Sequence, residues 1–364
     1  MKPFSLELWM TEHENGVPFN IAETSIAPMS IDELFRLCDE DADWFFRWRR
    51  TAPLTYGDIY GMPELRNGIA SLYSNIYPDE ILTTHGGTGG NSLALRSLVE
   101  PGMEVVCLTP CYQQLYEIPG AVVKTLPLRK ENGYLPDIYE LAEIVTDKTG
   151  LICINNPNNP TGVEIGLDML KKIISIADVV GAWVLCDEVY MPETSVADIY
   201  DRGISVGSMS KMFSLPGLRL GWVATGNQTA LNAMKISRDY DHISCGMLDE
   251  AIANIALSHA DKILDRNRRI AAEGLEYLSA WVEGQPGLAW MIKPTAGTTA
   301  LIEYELDMDS FDFCESVLRE AGTLIVPGGC FGVDKAFRVG YACGLEMLKH
   351  GLHALSNFLW RRYL

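Results

Sequence analysis

The sequence has 364 residues, of which 48% are hydrophobic and 21% are charged, and its formal net charge is -19. This length and hydrophobic content predict a globular protein with two domains, or with one large domain and an appendage. The excess of acidic residues disfavours nucleic acid and anionic membranes as partners, because both reward clustered lysine and arginine.

Cysteine usage and the N-terminus bear on localisation. The nine cysteines form no C-x-x-C pair, and an odd number fits a reducing compartment better than a disulfide framework. The first residues include acidic side chains and no apolar signal core, and no segment has the roughly eighteen uninterrupted apolar residues of a membrane helix. We therefore expect a cytoplasmic protein with no membrane partner and no bound metal.

Short apolar runs rich in β-forming residues alternate with helical patterns over much of the chain. The predicted strands span residues 80–84, 104–108, 150–154, 182–186 and 204–206. This alternation predicts an α/β fold with a mostly parallel sheet. In such sheets ligands bind beyond the carboxyl ends of the strands, so polar residues at those ends are candidates for a site.

The pattern changes near Met247. A long helical stretch rich in alanine, leucine, arginine and glutamate runs to about Glu283, and short strands and a C-terminal helix ending near Arg362 follow. This change predicts a second, smaller domain, with residues 238–245 as the connection.

A glycine-rich turn follows the first predicted strand. It reads Thr84-His85-Gly86-Gly87-Thr88-Gly89-Gly90-Asn91. Free backbone N–H groups and the helix dipole at such a turn favour an anion. A Rossmann dinucleotide site is the alternative, although these glycines miss the G-x-G-x-x-G spacing and the turn lies mid-chain.

Lys211 is the candidate for covalent chemistry. Hydroxyl groups precede it at Ser208 and Ser210, and Arg219 follows eight positions later. These side chains suit an amine held beside an anionic group, although such a segment alone more often carries a solvated surface lysine. Asp187 directly follows the strand 182–186, which puts its carboxylate at the carboxyl edge of the sheet unless it caps a helix.

These segments follow one another in the order of a known family. Asn156-Pro157-Asn158-Asn159-Pro160-Thr161-Gly162, Asp187-Glu188-Val189-Tyr190 and the Lys211 segment resemble motifs of the class I/II aminotransferases, which depend on pyridoxal phosphate (PLP). The resemblance extends from about Tyr56 to Arg338.

The resemblance implies a particular architecture, the PLP-dependent transferase fold type I. This is an α/β fold with a mainly parallel seven-stranded sheet, helices on both faces of that sheet, and a smaller α+β domain made from both chain ends. We expect the large PLP-binding domain over residues 40–245 and the small domain over residues 1–39 and 246–364.

PLP chemistry needs a lysine, an acid at the pyridine nitrogen, a phosphate site and a group that binds the substrate carboxylate. By resemblance, Lys211 forms the Schiff base and moves the proton between the substrate α-carbon and the cofactor. Asp187 keeps the pyridine nitrogen protonated, and Tyr190 and Asn159 bond to the phenolic oxygen of the ring. We therefore expect Lys211, Asp187 and Tyr190 to be catalytic.

The resemblance also assigns the rest of the cofactor site. The phosphate would be bound by five residues: Gly87, Thr88, Ser208, Ser210 and Arg219. Tyr112 matches the aromatic residue that stacks on the pyridine ring. Tyr56 lies in a segment similar to Y-x4-G-x3-L-R, whose tyrosine reaches the phosphate of the neighbouring subunit, and it therefore implies a homodimer.

Arg338 is expected to bind the substrate, because it matches the family arginine for the α-carboxylate, and Asn159 accompanies it. Residues 20–28 depart from the family pattern, in which a glycine and a proline lie close to the substrate. Thr24 in this segment is a further candidate for a substrate contact. The side chain of the natural substrate stays open, because the pattern fails where those contacts are made.

The resemblance implies an aminotransferase that moves an α-amino group between an L-amino acid and a 2-oxo acid. Residues 84–86 and 237–240 are also similar to the capreomycidine synthase branch, so a PLP-dependent lyase or cyclase that expels a β- or γ-substituent stays open. A PLP-binding regulatory module is a third possibility, against which the acidity of the chain argues, because DNA attracts basic proteins.

Overall fold

A computed structural model describes residues 2–363, and within them the chain forms thirteen strands and thirteen α-helices. The strands are β1 (Phe19–Asn20), β2 (Ile81–Thr84), β3 (Glu104–Thr109), β4 (Val122–Pro127), β5 (Thr149–Asn155), β6 (Trp183–Asp187), β7 (Gly203–Ser208), β8 (Gly221–Ala224), β9 (Leu288–Ile292), β10 (Thr299–Tyr304), β11 (Thr323–Leu324), β12 (Val326–Pro327) and β13 (Ala336–Gly340). The helices are α1 (Ser5–His13), α2 (Ile31–Cys38), α3 (Ala42–Arg49), α4 (Pro63–Ala70), α5 (Gly86–Leu98), α6 (Ile138–Ile144), α7 (Leu167–Val180), α8 (Val196–Ile199), α9 (Gln228–Asp239), α10 (Met247–Ser258), α11 (Ala260–Glu283), α12 (Ser310–Ala321) and α13 (Leu345–Tyr363).

Seven strands form the large sheet, in the spatial order β2-β8-β7-β6-β5-β3-β4. Strand β8 runs antiparallel to its neighbours β2 and β7, and the remaining pairs are parallel. The five strands predicted from sequence are β2, β3, β5, β6 and β7, with ends displaced by at most two residues. Asp187, expected after a strand, is the last residue of β6. The mainly parallel seven-stranded sheet is confirmed.

Both faces of the large sheet are covered by helices. In β5, Leu151 and Cys153 pack in a cluster with side chains of α5 and α9. The alternate residues Ile152 and Ile154 pack with side chains of α6 and α7. All four are fully buried. Burial on both faces is what helical crossovers impose on parallel strands, and it confirms the predicted α/β arrangement.

A second layer of structure comes from both ends of the chain. Strands β12, β13, β10 and β9 form an antiparallel sheet in that order, and β1 pairs in parallel with β11. The core beside them draws buried residues from positions 6–26 and 278–359. Trp9 Nε1 on α1 donates to the carbonyl of Ile325 at 3.0 Å, which ties the first helix to this core.

The helices near the predicted domain boundary pack together. Helix α2 and helix α10 contribute to one buried cluster with α4 and β8. The predicted long helical stretch is two helices, α10 and α11, separated at His259. The division into residues 40–245 and two flanking segments stays a prediction. Over residues 2–363, no helix combines the length and apolar content that a membrane crossing needs.

Candidate active site

A cavity of about 310 Å³ lies at the carboxyl ends of the central strands. Asn155 ends β5, Asp187 ends β6 and Ser208 ends β7, and all three line this cavity. Twelve sequence-predicted site residues line it: Thr24, Gly87, Thr88, Tyr112, Asn159, Asp187, Tyr190, Ser208, Ser210, Lys211, Arg219 and Arg338. The structure therefore brings together every predicted site residue except Tyr56.

Tyr56 lies outside the cavity, in the connection between α3 and α4. Its side chain is 74% exposed. The role predicted for Tyr56 requires a second subunit, so its contact with a neighbouring phosphate stays a prediction.

Lys211 lies three residues beyond β7, and its partly buried side chain lines the cavity. Lys211 Nζ donates to Thr24 Oγ1 at 2.6 Å, so the N-terminal segment positions the lysine. Burial, together with the charge of Arg338, lowers the pKa of the Lys211 ammonium to about 8, although the charges of Glu23, Glu7 and Asp187 oppose the shift. A partly neutral amine can act as a nucleophile and as a base near neutral pH.

Asp187 is a buried carboxylate with two protein donors. Asn91 Nδ2 donates to Asp187 Oδ2 at 2.8 Å, and the backbone N–H of Val189 donates to Asp187 Oδ1 at 3.3 Å. Burial raises the pKa of Asp187, against the hydrogen bonds from Asn91 and Val189 and the charge of Lys211. Asn91 Oδ1 is buried without a hydrogen-bond partner among residues 2–363. The Asp187 carboxylate and Asn91 Oδ1 are hydrogen-bond acceptors, so they suit a ligand that places an N–H group in this buried part of the molecule.

The first turn of α5 forms one wall of an anion site. Its leading N–H groups have no partner within the helix, and Gly87 and Thr88 line the cavity. A Cβ atom at Gly87 would lie 2.7 Å from Val189 Cγ1, so glycine permits the close approach of this turn to the loop after β6.

Hydroxyl and guanidinium groups complete the same wall. Ser208 Oγ accepts from the backbone N–H of Ser210 at 3.0 Å. Arg219 has a left-handed backbone with φ 48°, and its Nη1 donates to the carbonyl of Pro216 at 3.0 Å. A Cβ atom at Gly86 would lie 2.9 Å from Arg219 Nη2, which shows that the guanidinium lies against the glycine turn. N–H groups, hydroxyls and a guanidinium together suit a phosphate.

Arg338 on β13 is the third cation of the cavity. Its Nη1 donates to Asn159 Oδ1 at 3.0 Å and its Nη2 to the carbonyl of Ala22 at 2.9 Å. Its Nε has no partner among residues 2–363, although the side chain is only 2% exposed. Burial lowers the pKa of Arg338, but a guanidinium stays charged at physiological pH. Because Arg338 lines the cavity, its positive charge suits a carboxylate bound there.

Two tyrosines face the cavity in different surroundings. Burial raises the pKa of Tyr190 to about 12, opposed by a hydrogen bond with Thr24, so its hydroxyl keeps its proton. Tyr112 OH donates to Glu7 Oε1 at 2.8 Å, and its ring centroid lies 4.8 Å from that of Phe4. The segment around α1 therefore reaches Tyr112, a contact that the sequence analysis missed.

The residues present fit PLP. The turn of α5 with Arg219 suits the phosphate, and Lys211 supplies a buried amine. Asp187 suits the pyridine N–H, because it is a carboxylate that burial has removed from water and that only two N–H groups and the charge of Lys211 stabilise. Within residues 2–363 no group of three or more histidine, cysteine, aspartate or glutamate side chains could hold a metal ion.

Comparison with known proteins decides the family. The sequence profile described as "Aminotransferase class I and II" matches residues 51–355. The chain belongs to the class I and II aminotransferase family. The predictions of fold type I, of PLP as the cofactor and of a PLP-dependent aminotransferase are thereby confirmed.

Relatives of this class I and II aminotransferase cover most of its length. The capreomycidine synthase of Streptomyces vinaceus is 32% identical over 313 residues, 83% of this chain and 80% of the relative. The aspartate aminotransferase of Pyrococcus horikoshii is 28% identical over 327 residues, 82% of this chain and 81% of the relative.

Two solved structures are similar over nearly the whole chain. A PLP-dependent aminotransferase from Streptococcus suis has a TM-score of 0.96 and 41% identity, with 99% of this chain and 98% of that one covered. The PLP-dependent cyclase OrfR has a TM-score of 0.91 and 28% identity, with 100% and 98% covered.

Proposed function

We propose that this enzyme transfers the α-amino group of an L-amino acid to a 2-oxo acid, with Lys211 as the residue that carries the cofactor and moves the proton. The observation that carries the proposal is the position of the Lys211 amine. Lys211 lines the same cavity as the Asp187 carboxylate and the Arg338 guanidinium. One amine therefore faces a cofactor site on one side and a substrate site on the other.

PLP, when bound, supplies an aldehyde that joins covalently to amines and a protonated ring that withdraws electrons from the substrate. Its phosphate would be held by Gly87, Thr88, Ser208, Ser210 and Arg219. Asp187, oriented by Asn91, would accept from the pyridine N–H. Tyr112 would lie against the ring, and Tyr190 and Asn159 would donate to its phenolic oxygen.

The substrate would be oriented by Arg338 and Thr24. Arg338 lines the cavity, its positive charge suits the α-carboxylate, and the bond to Asn159 fixes the guanidinium plane. Thr24 accepts from Lys211 and thereby fixes the amine. Lys211 Nζ then removes the proton from the substrate α-carbon. A pKa of about 8 keeps a fraction of the amine neutral for this step near neutral pH.

The test is a single half-reaction of the PLP-loaded protein with L-amino acids, without any oxo acid. We expect the cofactor absorbance to change to that of the amino form, with one equivalent of 2-oxo acid released, and a 2-oxo acid to reverse the change. A cofactor spectrum that stays unchanged while ammonia or a cyclised product accumulates would contradict amino transfer. The Lys211→Ala variant is the control, because it should show no conversion.

The second candidate is a PLP-dependent lyase or cyclase acting through the same residues. The similarity to capreomycidine synthase and to the cyclase OrfR favours it. Lys211, Asp187 and Arg338 serve both reactions equally, so only the identity of the product distinguishes them.

We further propose that the enzyme is a cytoplasmic homodimer in which Tyr56 reaches the partner's cavity. Support comes from exposed apolar side chains on the α3–α4 connection and on the neighbouring start of α10. They are Leu54, Tyr56, Ile59, Tyr60, Ile243 and Leu248. Sedimentation should give a dimer for the wild type, and Tyr56→Phe should weaken PLP binding without changing the mass. A fully active monomer would contradict the proposal.

A further inference from the structure

Thr298 is a fully buried threonine directly before β10, behind the wall of the active-site cavity. Its side chain does not line the cavity, but it contacts a residue that does. Thr298 Oγ1 donates to the backbone carbonyl of Thr24 at 2.6 Å. A hydroxyl carries a single proton, so this bond fixes the direction in which the Thr298 hydroxyl points.

The segment that carries Thr298 is held by two other parts of the chain. The backbone N–H of Tyr341 donates to the carbonyl of Thr298 at 3.0 Å, and the Tyr341 hydroxyl donates to the carbonyl of Gly297 at 2.7 Å. The backbone N–H of Ala296 donates to the carbonyl of Gly162 at 2.9 Å. The Thr298 hydroxyl therefore stands on a fixed support.

Thr24, the partner of Thr298, links two of the predicted catalytic residues. Lys211 Nζ donates to Thr24 Oγ1 at 2.6 Å. The hydroxyls of Thr24 and Thr298 both lower the pKa of Tyr190 against the effect of burial, so both lie within hydrogen-bond reach of the Tyr190 oxygen. Because Thr24 Oγ1 accepts from the amine, its own proton is left for the Tyr190 oxygen. One hydroxyl thus joins the lysine to the tyrosine.

The backbone around Thr24 is held at three points. Arg338 Nη2 donates to the carbonyl of Ala22 at 2.9 Å, and the N–H of Ala27 donates to the carbonyl of Ala342 at 2.8 Å. These bonds hold the segment on either side of Thr24, and the Thr298 bond holds Thr24 itself. Loss of the Thr298 hydroxyl would remove a donor from a buried carbonyl, and Thr24 would shift from the amine to find another.

We propose that Thr298 is a positioning residue, which holds Thr24 so that the Thr24 hydroxyl orients the Lys211 amine and joins it to Tyr190. The inference rests on the proposed role of Lys211 and names the residue that keeps its hydrogen-bond acceptor in place. An amine without this acceptor adopts more orientations, and proton transfer slows because the reacting atoms are aligned less often.

Covalent attachment of PLP to the PLP-free protein tests the inference without any substrate. The bond to Thr24 favours the ammonium form of Lys211, so its loss in Thr298→Val should lower the pKa of the amine. We expect the midpoint of the attachment rate against pH to fall by about half a pH unit, measured by stopped-flow absorbance. The charged groups that act on Lys211 are the same in every variant: Arg338, Glu23, Glu7 and Asp187.

Two further variants separate positioning from general stability. Thr298→Ser keeps the hydroxyl and should restore the midpoint. Thr323→Val is the matched control, because Thr323 is also fully buried and donates to the carbonyl of Gly351 at 3.1 Å, away from the cavity. Both valine variants lose one buried hydroxyl bond and should lose similar thermal stability, but only Thr298→Val should shift the midpoint. Thr298→Ala removes the same hydroxyl and replaces Thr298→Val if that variant does not fold.

Kinetics and a double variant show through which residue Thr298 acts. In the half-reaction, Thr298→Val should lower kcat about tenfold and leave KM nearly unchanged, because alignment of the amine is lost and substrate binding is not. In a Thr24→Ala background, Thr298→Val should change kcat and the midpoint little further, since the hydroxyl that Thr298 positions is already absent.

The outcomes separate this inference from the proposed function. An unchanged midpoint in Thr298→Val, or an equal shift in Thr323→Val, would overturn the role of Thr298 even if amino transfer is observed. Full additivity of Thr24→Ala and Thr298→Val would overturn it as well. A shift confined to Thr298→Val, in a protein that forms no 2-oxo acid from any amino acid, would instead overturn amino transfer alone.

Discussion

Asp187 is buried and Lys211 is partly buried, and the loss of contact with water acts on their pKa values in opposite directions. Burial lowers the pKa of the Lys211 ammonium to about 8 and raises the pKa of the Asp187 carboxyl group. Both shifts follow from the loss of hydration of the charged form. Asn91 and Val189 limit the effect on Asp187 by donating to its oxygens. The cavity thus holds an amine that is partly neutral near neutral pH. It also holds a carboxylate whose charged form a cationic partner would stabilise.

The lowered pKa of Lys211 predicts how attachment of PLP depends on pH. Only the neutral amine attacks an aldehyde, and its fraction increases as pH rises through the pKa of about 8. The rate at which PLP-free protein binds PLP covalently should therefore increase with pH up to about 8 and level off above it. Stopped-flow absorbance over a pH range that brackets 8 measures this rate. A rate that continues to rise tenfold per pH unit well above this value would contradict the assignment.

Arg338→Ala should mainly weaken binding of the amino-acid substrate. The lost interaction is a charge-assisted hydrogen bond to a carboxylate, worth about 1.5–3 kcal/mol, which corresponds to an increase in KM of roughly tenfold to a hundredfold. Arg338→Lys should restore part of the affinity, because it keeps the charge but loses the planar fork. Steady-state kinetics give KM and kcat separately.

The control for Arg338 is an arginine outside the cavity. Arg319 on α12 is exposed, so Arg319→Ala should leave KM unchanged. Thermal unfolding of both variants separates binding from stability, since Arg338→Ala also leaves the acceptors on Asn159 and Ala22 without their donor. An unchanged KM in Arg338→Ala would remove this residue from the substrate site.

The site residues that motifs predicted lie close to strand ends in the sequence. Asp187 and Lys211 follow apolar runs whose direction is readable, and this is why they were expected at one edge of the sheet. Asn91 was missed, although it lies four residues after Gly87 on α5 and therefore on the same helix face. Glu7 and Glu14 carried no such signal, because the place of α1 depends on contacts with residues far along the chain.

Helix α5 is the element that holds the phosphate wall. Its first turn contains Gly86 and Gly87, which allow the backbone to approach both Arg219 and Val189. The N–H groups of that turn have no helical partners, and the helix dipole adds positive charge. The affinity for the phosphate group should therefore depend on the shape of this turn.

Two glycines of α5 provide a matched pair of variants. In Gly87→Ala the new Cβ would lie 2.7 Å from Val189 Cγ1, whereas in Gly89→Ala the nearest atom, Thr84 Cβ, lies at an ordinary 3.5 Å. We expect Gly87→Ala to weaken PLP binding by about tenfold or more, because overpacking of this kind costs about 1–3 kcal/mol. Gly89→Ala should bind PLP as the wild type does.

Equilibrium dialysis of PLP, with inorganic phosphate as a competitor, measures both variants. Gly89→Ala should also be slightly more stable to heat, since alanine is favoured over glycine within a helix by roughly 0.5–1 kcal/mol. Equal loss of PLP affinity in the two variants would mean that the turn holds the phosphate in some other way.

At the level of strands, sequence patterning predicted five strands of the large sheet but missed β8, which is also buried, and the exposed or very short strands. Strands β5, β6 and β7 are almost wholly buried on both faces and are bounded by polar turns. Strand β4 lies at the edge of the sheet with five of its six residues partly or fully exposed, so it carries no continuous buried apolar run. Strands β1, β11 and β12 have only two residues each, too few for a period to be recognised.

At the level of the whole molecule, the cavity is completed by contacts between distant parts of the chain. Thr24 contacts Lys211 across 187 positions, and the carbonyl of Ala22 contacts Arg338 across 316 positions. Trp9 on α1 likewise donates a hydrogen bond to the carbonyl of Ile325, which is also distant in the sequence. Motifs imply such contacts only through a family resemblance, and residues 20–28 are the part in which that resemblance fails. The sequence predicted Arg338 and Thr24 as substrate residues, but their contacts with Ala22 and Lys211 became visible only in the structure.

The central claim is that the α-amino nitrogen of the donor passes to a 2-oxo acid. The most direct measurement follows an isotopically labelled amino nitrogen through complete turnover by mass spectrometry, with a labelled amino acid and an unlabelled 2-oxo acid supplied together. We predict that the label appears in the new amino acid in proportion to the oxo acid formed from the donor, and that Lys211→Ala abolishes it. Release of the label as ammonia, or its retention in a cyclised product, would contradict the account.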